Sequence, residues 1–324
     1  MPSLPRRRFL HLAAAAALAS VVPRAHARAP LRVVASFSIL GDWVRQIGGE
    51  RVRVTTLIGA GEDAHAYAGK PSDAKAVARA HLLVANGLGF DDWFGRLARA
   101  SGSKAVLMVA SEGIHPRSAP LREEDEHDHG EHNHDDHDHD HHGALDPHAW
   151  QNPRNVNFYV SNIAAALSEL DPQGRAVYKA NLLRYQQALE ALDRDYRALF
   201  DALPEDARTL ITAHDAFGYL ADAYGLTLLA AAGVAGESQP SAAALAAIIG
   251  QIRQHKVRAV FLESGVDPRL MQQIAKESGA RVGEALFSDA LSAANGAAPT
   301  YLDMMRHNLN ALRAALAPTT TETP

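Results

Sequence analysis

Four residues with metal-binding side chains stand singly in short loops, three of them after apolar runs and His148 just after a His-rich stretch. They are His65 in Gly-Glu-Asp-Ala-His-Ala-Tyr, His148 in Asp-Pro-His-Ala-Trp, His214 in Ala-His-Asp-Ala-Phe and Asp289 in Phe-Ser-Asp-Ala-Leu. Because ligands of parallel α/β sheets bind beyond the carboxyl ends of the strands, we expect these side chains to converge in one cleft. Any one of them alone is more often a cap or a loop residue, so the prediction rests on the set.

A second group of histidines lies in one polar stretch, residues 122–142, which consists almost entirely of acidic residues and histidine. This composition cannot build a packed core, so the stretch is predicted to be a flexible loop. Imidazoles beside carboxylates bind zinc and copper weakly and in many interchangeable arrangements. We favour metal capture or sensing by this loop over a merely solvated linker. Its candidate auxiliary ligands are His127, His129, His132, His134, His137, His139, His141 and His142.

The N-terminus has the pattern of an export signal. Three arginines at 6–8 precede a short apolar run, residues 11–22, and an Ala-His-Ala cleavage signature at 25–27. The apolar run is too short to span a bilayer comfortably, and the Arg-Arg-x-Phe-Leu order resembles a twin-arginine signal. Residues 1–27 are therefore predicted to be a signal peptide cleaved near Ala27, which places the mature protein in the periplasm.

Composition excludes several kinds of partner and site. The sequence has no cysteine, which excludes disulfides, thiolate ligands and lipid attachment through cysteine. Any bound metal must be held by His, Asp or Glu. Without residues 1–27 the chain keeps 28 basic and 37 acidic residues, a formal charge of −9. A chain this acidic is a poor candidate for binding nucleic acid or anionic membranes.

Short apolar runs alternate with helix-like segments along the rest of the chain. The predicted strands are 31–36, 52–58, 81–85 and 105–109 in the first half, and 209–212, 227–229, 259–262 and 281–283 in the second. The predicted helices are 39–47, 73–79, 92–100, 217–224, 241–255, 268–278 and 300–316. This βαβα order predicts an α/β fold with two lobes, each a parallel sheet flanked by helices.

A long polar helix is predicted between the two halves, at residues 172–203. Its apolar positions step alternately by four and three, which is the pattern of a two-stranded coiled coil or of a spine packed on both lobes. We favour the spine, because the stripe ends after about four heptads. The stripe consists of Tyr178, Leu182, Tyr185, Leu189, Leu192, Tyr196 and Leu199. The predicted organisation is an N-terminal lobe at 28–171, this linking helix, a C-terminal lobe at 204–318 and a disordered tail at 319–324.

The motifs together resemble a known family, the metal-specific solute-binding proteins of ABC importers, in particular its zinc-binding branch (ZnuA-like and AztC-like). The resemblance runs from Val33 to the last helix. It is carried by Val-Ala-Ser-Phe-Ser-Ile-Leu-Gly-Asp from Val34, Gly-x-Asp-x-His-x-Tyr, Asp-Pro-His-x-Trp, Thr-x-His-x-Ala-Phe-Gly-Tyr and Phe-Ser-Asp-Ala-Leu. Three stretches depart from the family pattern, namely Ala64 in place of a usual Pro, a loosened Pro-x-x-x-Asp at 68–73, and Gln-Asn-Pro at 151–153 in place of Leu-Asp-Pro.

The resemblance implies a metal site, a fold and a role in transport. The family's four ligands fall on His65, His148, His214 and Asp289, in a cleft between two α/β lobes joined by one long helix. The implied function is high-affinity zinc binding and delivery to a membrane permease and its ATPase. A periplasmic zinc metallochaperone is a further candidate partner, and a monomer is expected.

Three imidazoles and one carboxylate form a nitrogen-rich set that suits tetrahedral zinc. Manganese prefers more oxygen and a higher coordination number, and its binders in this family typically have Glu at the third ligand position, where this chain has His214. Copper would bind the same nitrogens tightly, so selection against it must come partly from supply. Affinity is expected to fall as pH drops through about 6.5. The candidates to orient the ligand rings are Glu62, Asp146, Asp215 and Glu263.

Two other functions share parts of this pattern. A zinc hydrolase is disfavoured, because four protein ligands close the position that a catalytic water needs, and neither His-Glu-x-x-His nor Gly-x-Ser-x-Gly occurs. The chain is therefore not expected to be an enzyme. A periplasmic zinc buffer or an adhesin without a transporter would have the same metal site, so the sequence separates them poorly from a transport protein.

Overall fold

The computed structural model describes residues 29–119, 145–233 and 241–316. The predicted signal peptide, the His-rich stretch at 122–142 and the predicted tail at 319–324 lie outside the described residues. The described residues from Leu31 onward belong to one compact unit. No helix among them is both long enough and apolar enough to cross a bilayer.

The first lobe is built on a four-stranded parallel sheet with the order β2-β1-β3-β4. Strand β1 is central and almost wholly buried, whereas β4 is an edge strand that leaves Val106, Leu107 and Val109 exposed. The strands are β1 (Leu31–Phe37), β2 (Val52–Ile58), β3 (Leu82–Ala85) and β4 (Val106–Val109). The helices between them are α1 (Ser38–Gly48), α2 (Pro71–Ala78) and α3 (Asp92–Ala100). A two-residue antiparallel pair, β5 (Arg117–Ser118) with β6 (Leu145–Asp146), follows.

The second lobe contains two parallel strand pairs, β7 with β8 and β9 with β10, and β7 runs beside β9. Its strands are β7 (Thr209–His214), β8 (Thr227–Ala232), β9 (Ala259–Glu263) and β10 (Arg281–Leu286). Its helices are α6 (Gly218–Tyr224), α7 (Ala242–Gln254), α8 (Arg269–Ser278) and α9 (Tyr301–Leu316). The predicted fold class, parallel sheets flanked by helices in two lobes, is confirmed.

Two long helices join the lobes. The linking helix α5 spans Arg175–Asp201, close to the predicted 172–203, and a 3-10 turn at Pro172–Gly174 precedes it. The helix α4, Pro153–Leu170, was not predicted. It begins with Asn152 as N-cap, whose side chain accepts from the backbone N–H of Arg154, and with Pro153 at the first helical position.

The largest hydrophobic core runs through both lobes. It contains residues of β1, α1, α4, α5, β9 and α9, while the outer faces of the two lobes have smaller cores of their own. All positions of the α5 stripe are buried or partly buried in this shared core, among them Tyr178, Leu189 and Tyr196. A stripe covered by the protein's own lobes is a spine, and this confirms the spine over the coiled coil.

Candidate metal centre

The fold brings the four predicted residues together. One potential ligand atom from each of His65, His148, His214 and Asp289 lies within 4.8 Å of the others. His214 is the last residue of β7, and Asp289 follows β10 by three residues. His65 lies in the loop between β2 and α2, and His148 follows β6 directly before a 3-10 turn, Ala149–Gln151. Each lobe therefore contributes two side chains.

Several of the candidate ligand atoms lie close to one another. The Nε2 atoms of His65 and His148 are 3.2 Å apart, and Asp289 Oδ2 lies 3.4 Å from His65 Nε2 and 3.1 Å from His214 Nε2. Asp289 Oδ1 lies 3.4 Å from His148 Nε2. Donors of a tetrahedral zinc ion, at bond lengths of about 2.0–2.1 Å, stand about 3.3–3.4 Å apart. These four distances are close to that spacing, and one potential ligand atom of each residue lies within 4.8 Å of the others.

Two atoms of this group are buried without a hydrogen-bond partner among the described residues, His214 Nε2 and Asp289 Oδ1. The contact of His214 Nε2 with Asp289 Oδ2 is close but does not have hydrogen-bond geometry. Buried polar atoms are rarely left unpaired, so exceptions need an explanation. Lone pairs aimed at a common ion provide one.

His214 is held in place by Glu263 at the end of the neighbouring strand β9. Glu263 Oε1 accepts the backbone N–H groups of Ala213 (2.8 Å) and His214 (3.0 Å). Its Oε2 lies 2.8 Å from His214 Nδ1, a close contact of carboxylate and ring that does not have hydrogen-bond geometry. A carboxylate at Nδ1 favours the proton there and leaves the lone pair of Nε2 free for a metal.

His148 is held by Asp146, which hydrogen-bonds both its backbone and its ring. Asp146 Oδ1 accepts the backbone N–H of His148 at 2.9 Å and lies 2.8 Å from its Nδ1. Because an ionised carboxylate can only accept, Nδ1 carries the proton and Nε2 faces the other ligands. Both side chains are fully buried. The ring is therefore fixed before an ion arrives.

The loop that carries Asp289 is fixed from the other lobe. The carbonyl oxygen of Ser288 accepts from Trp150 Nε1 (2.9 Å) and from Gln151 Nε2 (2.7 Å). Asn308 on α9 pairs with both backbone groups of Phe287. Gln151 is one of the residues that depart from the family pattern, and here it joins the His148 segment to the Asp289 segment.

His65 is the ligand histidine nearest the solvent. A cavity of about 620 Å³ opens over the site and is lined by residues of both lobes, including His65, His214 and Asp289. His148 does not line it. The His65 ring packs edge-on against Phe90, with ring centroids 5.0 Å apart. Three of the four candidate ligands thus face the cavity, whereas His148 lies behind them.

The charges of the site favour a proton where a metal would bind. Burial would lower the pKa of His214, but the carboxylates of Asp289 and Glu263 outweigh it and hold that pKa well above its ordinary value. Burial would raise the pKa of Asp289, but His214 and His148 outweigh it and hold that pKa well below its ordinary value. The carboxylates thus favour positive charge at His214, and a metal ion competes with a proton for this ring.

Comparison with known proteins places this geometry in a family. The model of the family described as "Zinc-uptake complex component A periplasmic" matches residues 33–315. The chain belongs to this family. It is 32% identical over 287 residues to the manganese-binding lipoprotein MntA of Halalkalibacterium halodurans, with 89% of each chain covered. It is 30% identical over 304 residues to the iron-binding protein YfeA of Yersinia pestis, covering 94% of this chain and 92% of that one.

Solved structures of the family have the same fold. The periplasmic zinc binding protein TroA of Treponema pallidum matches with a TM-score of 0.78 and 28% sequence identity, covering 89% of this chain and all of that one. This member of the zinc-uptake component A family is thus the periplasmic metal-binding component of an ABC importer, whose partners are a membrane permease and its ATPase. Members of the family are solute-binding proteins, which confirms the prediction that the chain is not an enzyme. MntA is named a lipoprotein, whereas this chain has no cysteine to carry a lipid.

Of the four residues predicted to orient ligand rings, two do so in this family member and two do not. Asp146 and Glu263 contact the rings of His148 and His214. Glu62 instead accepts the backbone N–H of Gly59 and pairs with Lys70. Asp215 lies 4.0 Å from Arg117. The contact of Gln151 with the Asp289 loop was not predicted, because this residue does not stand in a motif that signals chemistry.

Proposed function

We propose that this importer component carries zinc and that His65, His148, His214 and Asp289 are its ligands. The observation that supports zinc most directly is the third imidazole, His214, at a position where manganese binders of the family typically have Glu. Three nitrogens and one carboxylate match the ligand preference of zinc. If both oxygens of Asp289 bind, the set reaches five donors, still poorer in oxygen than a manganese site.

The names of the relatives leave the metal open. MntA is named for manganese, YfeA for iron and TroA for zinc, at similar levels of identity to this chain. Sequence identity over the whole chain therefore does not indicate which metal this protein carries. We base the proposal of zinc on the donor set instead, because ligand type and coordination number separate zinc from manganese and iron(II) more sharply than overall similarity.

The proposal extends to export and to the His-rich stretch. Residues 1–27 direct the chain to the periplasm and are cleaved near Ala27, and the mature protein works as a monomer. The His-rich stretch at 122–142 raises the local zinc concentration and passes ions to the cleft, with a zinc metallochaperone as a further source. Unchanged zinc uptake at limiting metal by a strain with residues 122–142 deleted would contradict this role of the stretch.

The deciding experiment is metal content and zinc titration of the mature protein, with manganese as competitor. It includes His65→Ala and a variant lacking residues 122–142. One tight zinc that survives the deletion and is lost or greatly weakened in His65→Ala supports the four-residue site. If tight binding is lost on deletion of residues 122–142 but is unchanged in His65→Ala, the protein is a His-rich zinc buffer. Preferential retention of manganese would reject zinc as the cargo.

A further inference from the structure

One arginine outside the ligand set joins the two halves of the candidate centre. Arg117 lies on β5, where its backbone pairs with that of Asp146 on β6. Its guanidinium group donates from Nη1 to Asp146 Oδ2 at 3.1 Å and from Nε to Asp222 Oδ2 at 3.1 Å. Asp146 belongs to the segment that carries His148, and Asp222 belongs to α6 in the second lobe. Arg117 therefore bridges the lobes beside the metal site.

The contacts around Arg117 form a closed network. The backbone N–H of Arg117 donates to the hydroxyl of Tyr219 at 2.8 Å, and the same hydroxyl donates to the carbonyl of Asp146 at 3.0 Å. Nη1 of Arg117 also lies 4.0 Å from Oδ1 of Asp215, the residue after His214. One side chain thus faces the neighbours of two proposed ligands, one from each lobe.

The sequence leaves room for this arrangement at Gly218, the first residue of α6. A Cβ atom at this position would come within 2.3 Å of Arg117 Nη1 and within 2.4 Å of its Cζ. Any larger residue would push the guanidinium away from Asp146. The glycine allows the planar group to lie directly on the backbone at the start of α6, between the two lobes.

The charge of Arg117 bears directly on how His148 is held. The side chain of Asp146 is fully buried, and both hydrogen bonds from His148 go to Oδ1. Oδ2 accepts a hydrogen bond from Nη1 of Arg117. Without that guanidinium, a buried carboxylate oxygen would lose its counter-charge, and the carboxylate would rotate or draw in water. Each of these changes would loosen the Nδ1 contact that points His148 Nε2 at the ion.

We infer that Arg117 is a positioning residue for metal binding, which orients His148 through Asp146 and ties that half of the site to the second lobe through Asp222. The inference rests on the proposed role of His148 as a ligand. A lysine is a poor substitute, because its single ammonium group cannot hold both carboxylates in the fork geometry of a guanidinium. Arg117 thus acts on the ion without touching it.

The test compares Arg117→Met, Arg117→Lys and Asp222→Asn with Arg51→Met as the matched control. Arg51 forms a similar pair with the buried Asp171, at 2.7 Å, away from the centre. Zinc affinity is measured by competition titration, and the visible spectrum of the Co²⁺-loaded protein reports the ligand geometry. Outer partners of metal ligands typically contribute 10–100-fold in affinity, so we expect Arg117→Met to weaken zinc binding about tenfold and change the Co²⁺ spectrum. Arg117→Lys and Asp222→Asn should show smaller losses.

Arg51→Met should lower the thermal midpoint while leaving zinc affinity and the Co²⁺ spectrum as in the wild type. His148→Ala distinguishes a failure of the proposed ligand set from a failure of the role of Arg117. Wild-type affinity in His148→Ala would reject the ligand set itself. Loss of tight binding in His148→Ala, together with wild-type affinity and spectrum in Arg117→Met, would overturn the role of Arg117 alone. If Arg117→Met does not fold, wild-type affinity in both Arg117→Lys and Asp222→Asn would overturn it equally.

Discussion

Glu263 fixes both the backbone and the ring of His214. One carboxylate oxygen accepts the N–H of His214 at 3.0 Å, and the other lies 2.8 Å from Nδ1 of the same residue. The ends of β7 and β9 are thereby tied together at the point where the strands meet the cleft. A histidine whose backbone is held and whose ring lies beside a carboxylate needs little reorganisation when an ion arrives, which favours tight binding.

Glu263→Gln is expected to weaken zinc binding about 10–100-fold. The amide oxygen of glutamine can still accept the two backbone N–H groups, so the strand ends stay joined. Its amide nitrogen, however, would donate to His214 Nδ1 and favour the tautomer with a proton on Nε2, where the metal should bind. Competition titration against a chelator of known affinity measures the effect. The control is Glu284→Gln, at an exposed residue on β10, which should leave the zinc affinity unchanged. If Glu263→Gln and Glu284→Gln both bind zinc as tightly as the wild type, the role of Glu263 is contradicted.

His214→Glu is expected to shift metal preference from zinc toward manganese. The exchange replaces an imidazole nitrogen with carboxylate oxygens, which manganese prefers, and adds a negative charge beside Asp289 and Glu263. The zinc dissociation constant should rise by at least about 10-fold, and the ratio of zinc to manganese affinity should fall further. Parallel titrations with both metals measure this ratio. His255→Glu, at an exposed histidine after α7, is the matched control, and an unchanged ratio in His214→Glu would argue against His214 as the selective ligand.

Zinc affinity should keep rising with pH above 6.5. The pKa of His214 is raised by its carboxylate neighbours, so at neutral pH the metal-free ring still carries a proton that zinc must displace. Affinity should increase about tenfold per pH unit for that one proton and level off above the raised pKa. Asp289, with its lowered pKa, remains ionised in this range and adds no slope. The pH below which zinc affinity falls is therefore higher than the value of about 6.5 expected from the sequence.

Calorimetric zinc titrations at pH 7 in two buffers of different ionisation enthalpy measure the proton release directly. At least one proton per zinc is expected. Identical heats in both buffers would mean that no proton is displaced and that His214 is neutral without metal. Glu263→Gln removes one of the two carboxylates that raise the pKa of His214. The same titration of this variant should therefore release fewer protons per zinc at the same pH.

The ligand positions could be predicted because they depend on local signals. His65, His214 and Asp289 each follow an apolar run, and parallel strands place their carboxyl ends at one edge of the sheet. His148 had no such strand before it, since β6 is only two residues long. A strand of two residues has no periodicity, so the pair β5–β6 and the contacts of Arg117 were invisible in the sequence. Their partners, Tyr219 and Asp222, lie about a hundred residues away.

Helix α4 is different, because its signals were present and were overlooked. Asn152 and Pro153 form a start signal for a helix, and the apolar positions Val156, Tyr159, Val160, Ile163 and Leu167 recur at helical spacing. The roles of Glu62 and Asp215 could not be separated from those of Asp146 and Glu263 by sequence. All four are acidic residues near a ligand or a strand end, and only the fold shows which carboxylate reaches a ring.

The shared core predicts that the two lobes unfold together. Leu189 on α5 is 1% exposed in this core, whereas Leu183 on the same helix is 52% exposed. Leu189→Ala should lower the free energy of unfolding of the metal-free protein by about 2–5 kcal/mol, because it leaves a cavity where both lobes pack on the helix. Leu183→Ala should change it by about 0.5 kcal/mol or less.

Urea titrations of these variants are followed by tryptophan fluorescence and by far-UV circular dichroism. The three tryptophans, at positions 43, 93 and 150, all belong to the first lobe, while the dichroism reports the helices of both lobes. The two signals should coincide in wild type and shift together in Leu189→Ala, because Leu189 belongs to the hydrophobic core that both lobes share. Two separate transitions, of which only one moves in Leu189→Ala, would show that the lobes fold independently and that the helix is a tether between them.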